Sequence, residues 1–419
     1  MREYRFSGFA DGLNNVARED QIPSSALRTA QNVDLLVNGQ TVKPKRRTGR
    51  EKVFSGSGMH SIYARDDFVL AVDNNQLKLW TDFAAAPTVL ATVAGEVVYT
   101  EINNEIVWSD GVQLEKIDSS GTSSEFGVSA PTSSPQLTAI TDGGLFEGYY
   151  QAAVTFVRDY QESGSSIPVG INISEGSGFR LTNIPQPDSA DGINLYVSQA
   201  NGETLYFRTT LPVGTNVYDF GFMKPRRALK TFCHDRLPAS TLMAFYNGML
   251  FSARGNVLYA SQPLNFSQYH TTEGYILLAA EANLLLAGEN GMFVGADAGV
   301  YFFGGERFDQ FSATKVSAAS IPGAGVTVDG EFITPQLQGQ TVAIWWTVDG
   351  VMTVGMPDGS VEPVRSTEFR VPDAERGVMA PVVREGTKQV VSLMKNSGTK
   401  SPMAFSDDMT IEVHKHGVA

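Results

Sequence analysis

Five histidines, one cysteine and a few paired acidic or aromatic residues are the groups in this chain that could do chemistry. His414 and His416 alternate along the chain, which on a strand puts both imidazoles on one face, as two metal ligands would sit. No cysteine or further histidine lies near them, and their place beside the C-terminus favours solvated surface residues. Cys233, His234 and Asp235 have the types of a nucleophilic relay. Adjacent residues of an extended chain point to opposite sides, so packing in a loop explains them better. Asp66-Asp67 and Asp110-Gly111 lack the alternating oxygen spacing of a calcium loop and read as turns. Trp345 and Trp346 could offer at most one indole to a sugar, since strand neighbours face opposite ways. The plainer reading has one in the core and one covering a sheet face. No phosphate-binding glycine loop, dinucleotide fingerprint or zinc-protease motif occurs, and nothing selects a glycosidase-type carboxylate pair. The expectation is a chain that is not an enzyme and carries no cofactor or metal.

The strongest local charge feature is Lys43, Lys45, Arg46, Arg47, Arg50 and Lys52, within a chain of formal net charge −13. It reads either as a docking strip for an acidic protein or nucleic acid, or as a solvated edge strand protected by its charge. Lys224, Arg226, Arg227 and Lys230 form a weaker second cluster. An acidic chain does not wrap nucleic acid by neutralising phosphates. It could line a passage through which nucleic acid slides without sticking. A single cysteine excludes a disulfide framework. The opening MREYRFSGFADG has no apolar region of a signal peptide, and no apolar run approaches the ~20 residues of a membrane span. Synthesis in the cytoplasm, with no membrane span, is expected.

The elements that must position these residues are short strands. Helical periodicity is scarce; Ser24 to Val33 is the best candidate for a short helix. Elsewhere, short apolar or alternating runs flank Asx and Gly pairs that tolerate the positive φ of primed hairpin turns. An early set turns at Asp66-Asp67, Asn74-Asn75, Asn103-Asn104 and Asp110-Gly111. A late set turns at Asn247-Gly248, Gly255-Asn256, Asn290-Gly291, Asp349-Gly350, Asp358-Gly359 and Glu385-Gly386. Pro381 marks an edge strand. The units recur roughly every 40 residues, the spacing of four-stranded propeller blades. Between the sets, Ser129 to Pro135 reads as a linker, and short strands over about 90 residues suggest a small β-sandwich. The expected fold is therefore all-β: a propeller of about five or six blades with an inserted sandwich, one propeller assembled from both sides of the insertion. Met409 to Val413 or the N-terminal segment would help to close the ring. An ordinary sandwich or barrel array stays open as the alternative.

Two stretches resemble tail proteins of tailed bacteriophages. One runs from FSGFADGLNNV through IPSSALRTAQNVDL to NGQTVKPKRRTG. The other is MAFYNGMLFSARGNVLYASQPLNFSQY followed by LLLAGENGMFVGADAGVYFFGG, similar to propeller blades of those proteins. DGINLYVSQANGETLYFRTT is similar to their fibronectin-like modules. The chain is expected to divide into four parts: 1–58 as a docking segment, 59–130 as first blades, 131–225 as an inserted sandwich that resembles a fibronectin-like module, and 226–419 as the remaining blades. The resemblance is nearest to the nozzle, or tail-tube terminal protein, of a short-tailed phage. It implies a hexameric ring in the virion tail that encloses the DNA-ejection channel, with tail adaptor and tail-fibre proteins as partners and DNA in unspecific transit. The basic strip would meet the adaptor, and no catalytic residue is carried over. The alternative is a carbohydrate-binding or receptor-binding propeller of the tail.

Overall fold

The computed structural model describes residues 12–28, 33–38, 41–46, 51–222, 226–364, 369–371, 374–384, 387–396 and 412–413. Alternation of apolar and polar residues, cut by turns that demand positive φ, makes the chain a succession of antiparallel meanders. Asn103 and Asn104 adopt φ of 52° and 64°, and Asn247 and Gly248 adopt 43° and 72°. These values are those of a primed two-residue turn, whose twist matches that of its flanking strands.

Among the described residues five four-stranded antiparallel sheets result, and the fold is an all-β propeller. Blade 1 comprises His60–Ala64, Val69–Asp73, Gln76–Trp80 and Thr88–Thr92; blade 2 comprises Val98–Ile102, Glu105–Ser109, Leu114–Ile117 and Ser123–Glu125. Blade 3 comprises Leu242–Tyr246, Met249–Arg254, Val257–Ala260 and Tyr275–Leu277. Blade 4 comprises Ala282–Ala287, Gly291–Ala296, Gly299–Gly304 and Ser312–Ser317; blade 5 comprises Ser320–Asp329, Thr341–Thr347, Met352–Gly355 and Val361–Val364. From blade 2 to blade 5 the first strands of successive blades pack on one another, so the first strand of a blade lies innermost.

The core is the set of seams between blades. Leu70, Val72 and Leu77 meet Ile106 and Trp108 between blades 1 and 2. Phe251 and Leu258 meet Leu285, Met292 and Val294 between blades 3 and 4. Phe293 meets Trp345 between blades 4 and 5, with ring centroids 5.1 Å apart. Each such side chain removed from water contributes roughly 1.5–3 kcal/mol, which makes the seams the main source of cohesion. The hairpin Ala374–Arg384/Thr387–Asn396 follows blade 5 and packs on its innermost strand, where Gly323 and Gly377 bring two backbones together. A Cβ on Gly323 would stand 2.7 Å from the Gly377 carbonyl oxygen. The Arg376 guanidinium pairs with Glu96, joining this hairpin to the connection between blades 1 and 2. Pro381 lies in this two-stranded sheet, where a residue without an N–H is tolerated.

Residues 136–220 interrupt the blades with two sheets. Gln136–Leu145, Ser177–Thr182 and Val217–Phe220 form one; Gly148–Arg158, with Gln161–Ser165, Val169–Ile173, Gly192–Ser198 and Leu205–Pro212, forms the other. Phe179, Leu181 and Phe220 of the first share a core with Tyr150, Val154, Leu195 and Val197 of the second. The pair is a sandwich.

The helix expected from Ser24 to Val33 is not found in its described part. Ala26–Leu27 is a short strand paired in parallel with Gly12–Leu13, after a turn in which the Ala26 N–H donates to the Pro23 carbonyl at 2.9 Å. A strand partner distant in sequence outcompetes a weak local helical preference. Asn15 and the chain beyond blade 5 are tied reciprocally. Asn15 Nδ2 donates to the Arg370 carbonyl at 2.8 Å, and the Arg370 N–H donates to Asn15 Oδ1 at 3.0 Å. Of the expected last strand, Glu412–Val413 is described, paired with Glu51–Lys52.

Candidate interaction surfaces

The most heavily bonded polar site joins the sandwich to the propeller. Glu125 ends the outermost strand of blade 2. Arg158, at the end of the long sandwich strand, donates to Glu125 Oε2 at 3.0 Å and to the carbonyls of Glu125 and Gly127 at 2.9 and 2.7 Å. Arg236, on the strand that leads back to blade 3, donates to Glu125 Oε1 at 3.1 Å and to the Phe126 carbonyl at 2.9 Å. Ser189 Oγ adds a bond to Oε2 at 2.5 Å. Burial pushes the Glu125 carboxyl up, but the Ser189 and Arg158 bonds and the Arg236 charge outweigh it and hold it below its ordinary range. The arrangement is a clamp that ties the sandwich and the return strand to the edge of blade 2.

A second hub lies beside it. Glu162 accepts from Thr155 Oγ1 at 2.6 Å, Asn194 Nδ2 at 2.8 Å, Tyr196 Oη at 2.5 Å and Arg227 Nη2 at 3.3 Å. The Gln268 side chain, from blade 3's long third connection, donates to the Glu162 carbonyl. Burial and the Glu162 bond push the Tyr196 phenol up, so it stays a donor. Arg227, one of the weaker basic cluster, also covers the Phe207 ring at 4.9 Å. It is a packing residue here, while Lys224 lies outside the described residues.

Cys233 and His234 lie in the return segment, Cys233 with φ of 56°. His234 pairs with His270 across two short strands, their rings edge to face at 5.5 Å. Burial and the neighbouring His270 lower the His234 pKa, against a hydrogen bond to Gln268 that raises it. Asp235 accepts from the Ala130 and Arg236 N–H groups rather than facing the thiol. Among the described residues no group of three or more His, Cys, Asp or Glu is placed to hold a metal ion; His414 and His416 lie outside them. Asp110 is a turn carboxylate, accepting from the N–H groups of Ala94, Val112 and Gln113 at 2.8, 2.9 and 2.7 Å. Asp73 does the same work one blade earlier, holding the Ser57 N–H and Lys78 Nζ, each at 2.7 Å. Trp345 and Trp346 are both buried, at 0% and 6% exposure, so neither offers a face to a sugar. A cavity of about 480 Å³ beside the sandwich is lined by Arg208, Tyr218, Asp219, Phe220, Phe222 and Arg226.

Of the basic strip, Lys43, Lys45 and Arg46 lie on the strand Thr41–Arg46, in register with Leu36, Asp34 and Val33 of Val33–Asn38. Lys52 is in register with Glu412. Arg47 and Arg50 lie outside the described residues. The strip thus belongs in part to a hairpin strand, and the structure does not gather it with the clamp. Sequence reasoning missed that clamp. Glu125 is separated from Arg158 by 33 residues and from Arg236 by 111, a spacing with no local signature.

No family model matches the chain, and no curated protein matches it. Solved structures similar to it include BBS1N in complex with ARL6DN, at 11% identity and a TM-score of 0.32, covering 84% of this chain and 97% of that one. The AfRom2 CNH domain is similar at 7% identity and TM-score 0.28, covering 84% of this chain and 100% of that one. The Neurospora crassa Pan2 WD40 domain is similar at 10% identity and TM-score 0.29, covering 80% and 86%. Likeness at this level carries nothing about function; the fold rests on the chain's own sheets. No helix among the described residues is long and apolar enough to cross a membrane.

Proposed function

We propose that this chain is a structural protein of a tailed-phage virion that forms a ring at the end of the tail and encloses the DNA-ejection channel. The observation that carries the reading is the folding of the two phage-like stretches. MAFYNGMLFSARGNVLYA supplies the first three strands of blade 3, and LLLAGENGMFVGADAGVYFFGG supplies those of blade 4. Asn247-Gly248 and Gly255-Asn256 stand at their turns, in the order the resemblance calls for. DGINLYVSQANGETLYFRTT supplies two adjacent strands of the sandwich, which supports reading that sandwich as a fibronectin-like module. A clamp that holds the sandwich on the propeller suits a part that bears load and turns nothing over. The six-fold order, tail adaptor and fibre partners, the virion-tail location and the unspecific passage of DNA come with this reading. Negative-stain micrographs of the purified protein, alone and with its tail neighbours, test it. Rings with a central opening are expected; a protein that stays monomeric under both conditions overturns it.

A further inference from the structure

One position around the propeller axis differs from the rest. The hairpin Ala374–Arg384/Thr387–Asn396 occupies it with two strands, where each blade has four. One face is covered, because Met379, Val390 and Met394 pack with Ile321, Ala324 and Val354 of blade 5. On the other face Val378 and Leu393, opposite each other in register, are 52% and 46% exposed. Among the described residues Thr387–Asn396 pairs only with its hairpin partner. Among the described residues its outer edge thus carries no further strand, and such an edge presents backbone donors and acceptors that another strand can take.

The N-terminal hairpin is the matching half. Val33–Asn38 and Thr41–Arg46 pair only with each other among the described residues. Their compositions differ in a telling way. VDLLVN is mostly apolar with one charge, the make-up of an interior strand buried on its faces. TVKPKR carries Lys43, Pro44, Lys45 and Arg46, the residues that protect an outermost strand from further pairing. Two strands added to two make a four-stranded blade, with Val33–Asn38 inside and Thr41–Arg46 at the rim. Within one chain the two hairpins form separate two-stranded sheets. Val53 and Phe54, just after the N-terminal hairpin, pack on Met59, just ahead of blade 1, and on Ala71 and Trp80 within it. Glu51–Lys52 is taken by Glu412–Val413, and the two hairpins do not join into one sheet.

We infer that the N-terminal hairpin of one copy adds to the outer edge of Thr387–Asn396 in the next copy and completes a sixth blade between them. The contact joins unlike surfaces, and such head-to-tail contacts close into rings when the rotation permits. The inference deepens the ring reading above and rests on it. It also puts Lys43, Lys45 and Arg46 at the rim of the composite blade.

The test uses full-length protein in a Cys233→Ser background. Variants Leu36→Cys and Val391→Cys are purified separately, mixed, and treated with a short bis-maleimide crosslinker that tolerates an offset in register. A crosslinked dimer in the mixture, and a ladder of multimers from the double variant, are expected. An internal link in the double variant with no dimer in the mixture means the chain completes its own blade, and overturns the inference. Absence of any product overturns it as well. Hydrogen exchange on the unmodified protein guards against a folding defect in the variants: the amides of 387–396 are expected to slow when dilute protein is concentrated into its oligomer. Unchanged exchange in a demonstrated oligomer overturns the inference. Rings that form without crosslink or protection leave the ring reading standing and remove this one. Crosslinked copies that build only open chains do the reverse.

Discussion

Arg236 reaches Glu125 at 3.1 Å across 111 residues, and in doing so binds the return strand to the edge of the blade the chain left before building the sandwich. The same carboxylate holds Arg158 at 3.0 Å from the sandwich itself. Three segments distant in sequence therefore share one anion.

Glu125→Ala should lower stability by about 1–2 kcal/mol, because two guanidinium groups lose a charged acceptor while keeping carbonyl partners, and the site is partly open to water. Glu125→Gln should cost less. Urea unfolding measures both. Protease cutting in the segment around residue 130 should quicken in the Ala variant and not in the Gln variant.

Acid should weaken the blade connections. Burial alone would raise the Asp110 carboxyl, but the N–H groups of Ala94, Gln113 and Val112 together hold it below its ordinary 3.8. The unfolded chain thus takes up the proton first as pH falls. The contribution to stability is complete above the unfolded value and is lost as pH drops through the lowered folded one. Asp73, lowered by Lys78 and the Ser57 N–H against its own burial, behaves alike. Denaturant midpoints followed from neutral to acid should fall less steeply in Asp110→Asn than in the parent; equal slopes would count against the role given to Asp110.

Trp345→Ala should cost about 3–5 kcal/mol, since it empties a fully buried site between blades 4 and 5. Trp346→Ala leaves Ser392 Oγ without the indole N–H it meets at 2.9 Å and should destabilise the contact with the final hairpin. Both indoles should emit in the blue and resist acrylamide quenching. Glycan addition should change neither signal.

Asn104→Ala should destabilise blade 2 by about 1 kcal/mol, because φ of 64° brings a Cβ close to the next carbonyl, and Asn can offset that strain with its own side chain. Asn104→Gly should stay close to the parent. Thermal unfolding of the two variants separates the turn requirement from side-chain packing.

The inner parts of the blades were legible because their turns are chemical: Asn74-Asn75, Asn103-Asn104 and Asn247-Gly248 each stand where the chain reverses. The rims were not. Ser123–Glu125 and Ser312–Ser317 are short, polar and half in water, so they lack the alternation that marks a strand. Ser320–Asp329, an innermost strand, hid behind Pro322, Gly323 and Gly325, residues that read as loop. Ala26–Leu27 went the other way, a local helical pattern overruled by a distant partner. The two buried tryptophans fit the plain reading of their positions better than the sugar-site reading. The Glu125 clamp had no sequence signal, because it exists only once three segments have met.

The sandwich departs from an outermost strand of the propeller and returns to an innermost one. Cargo hung at such a crossing lies beyond the last rung of one blade and ahead of the first rung of the next. Its size and shape can change without moving the innermost strands that pack around the axis.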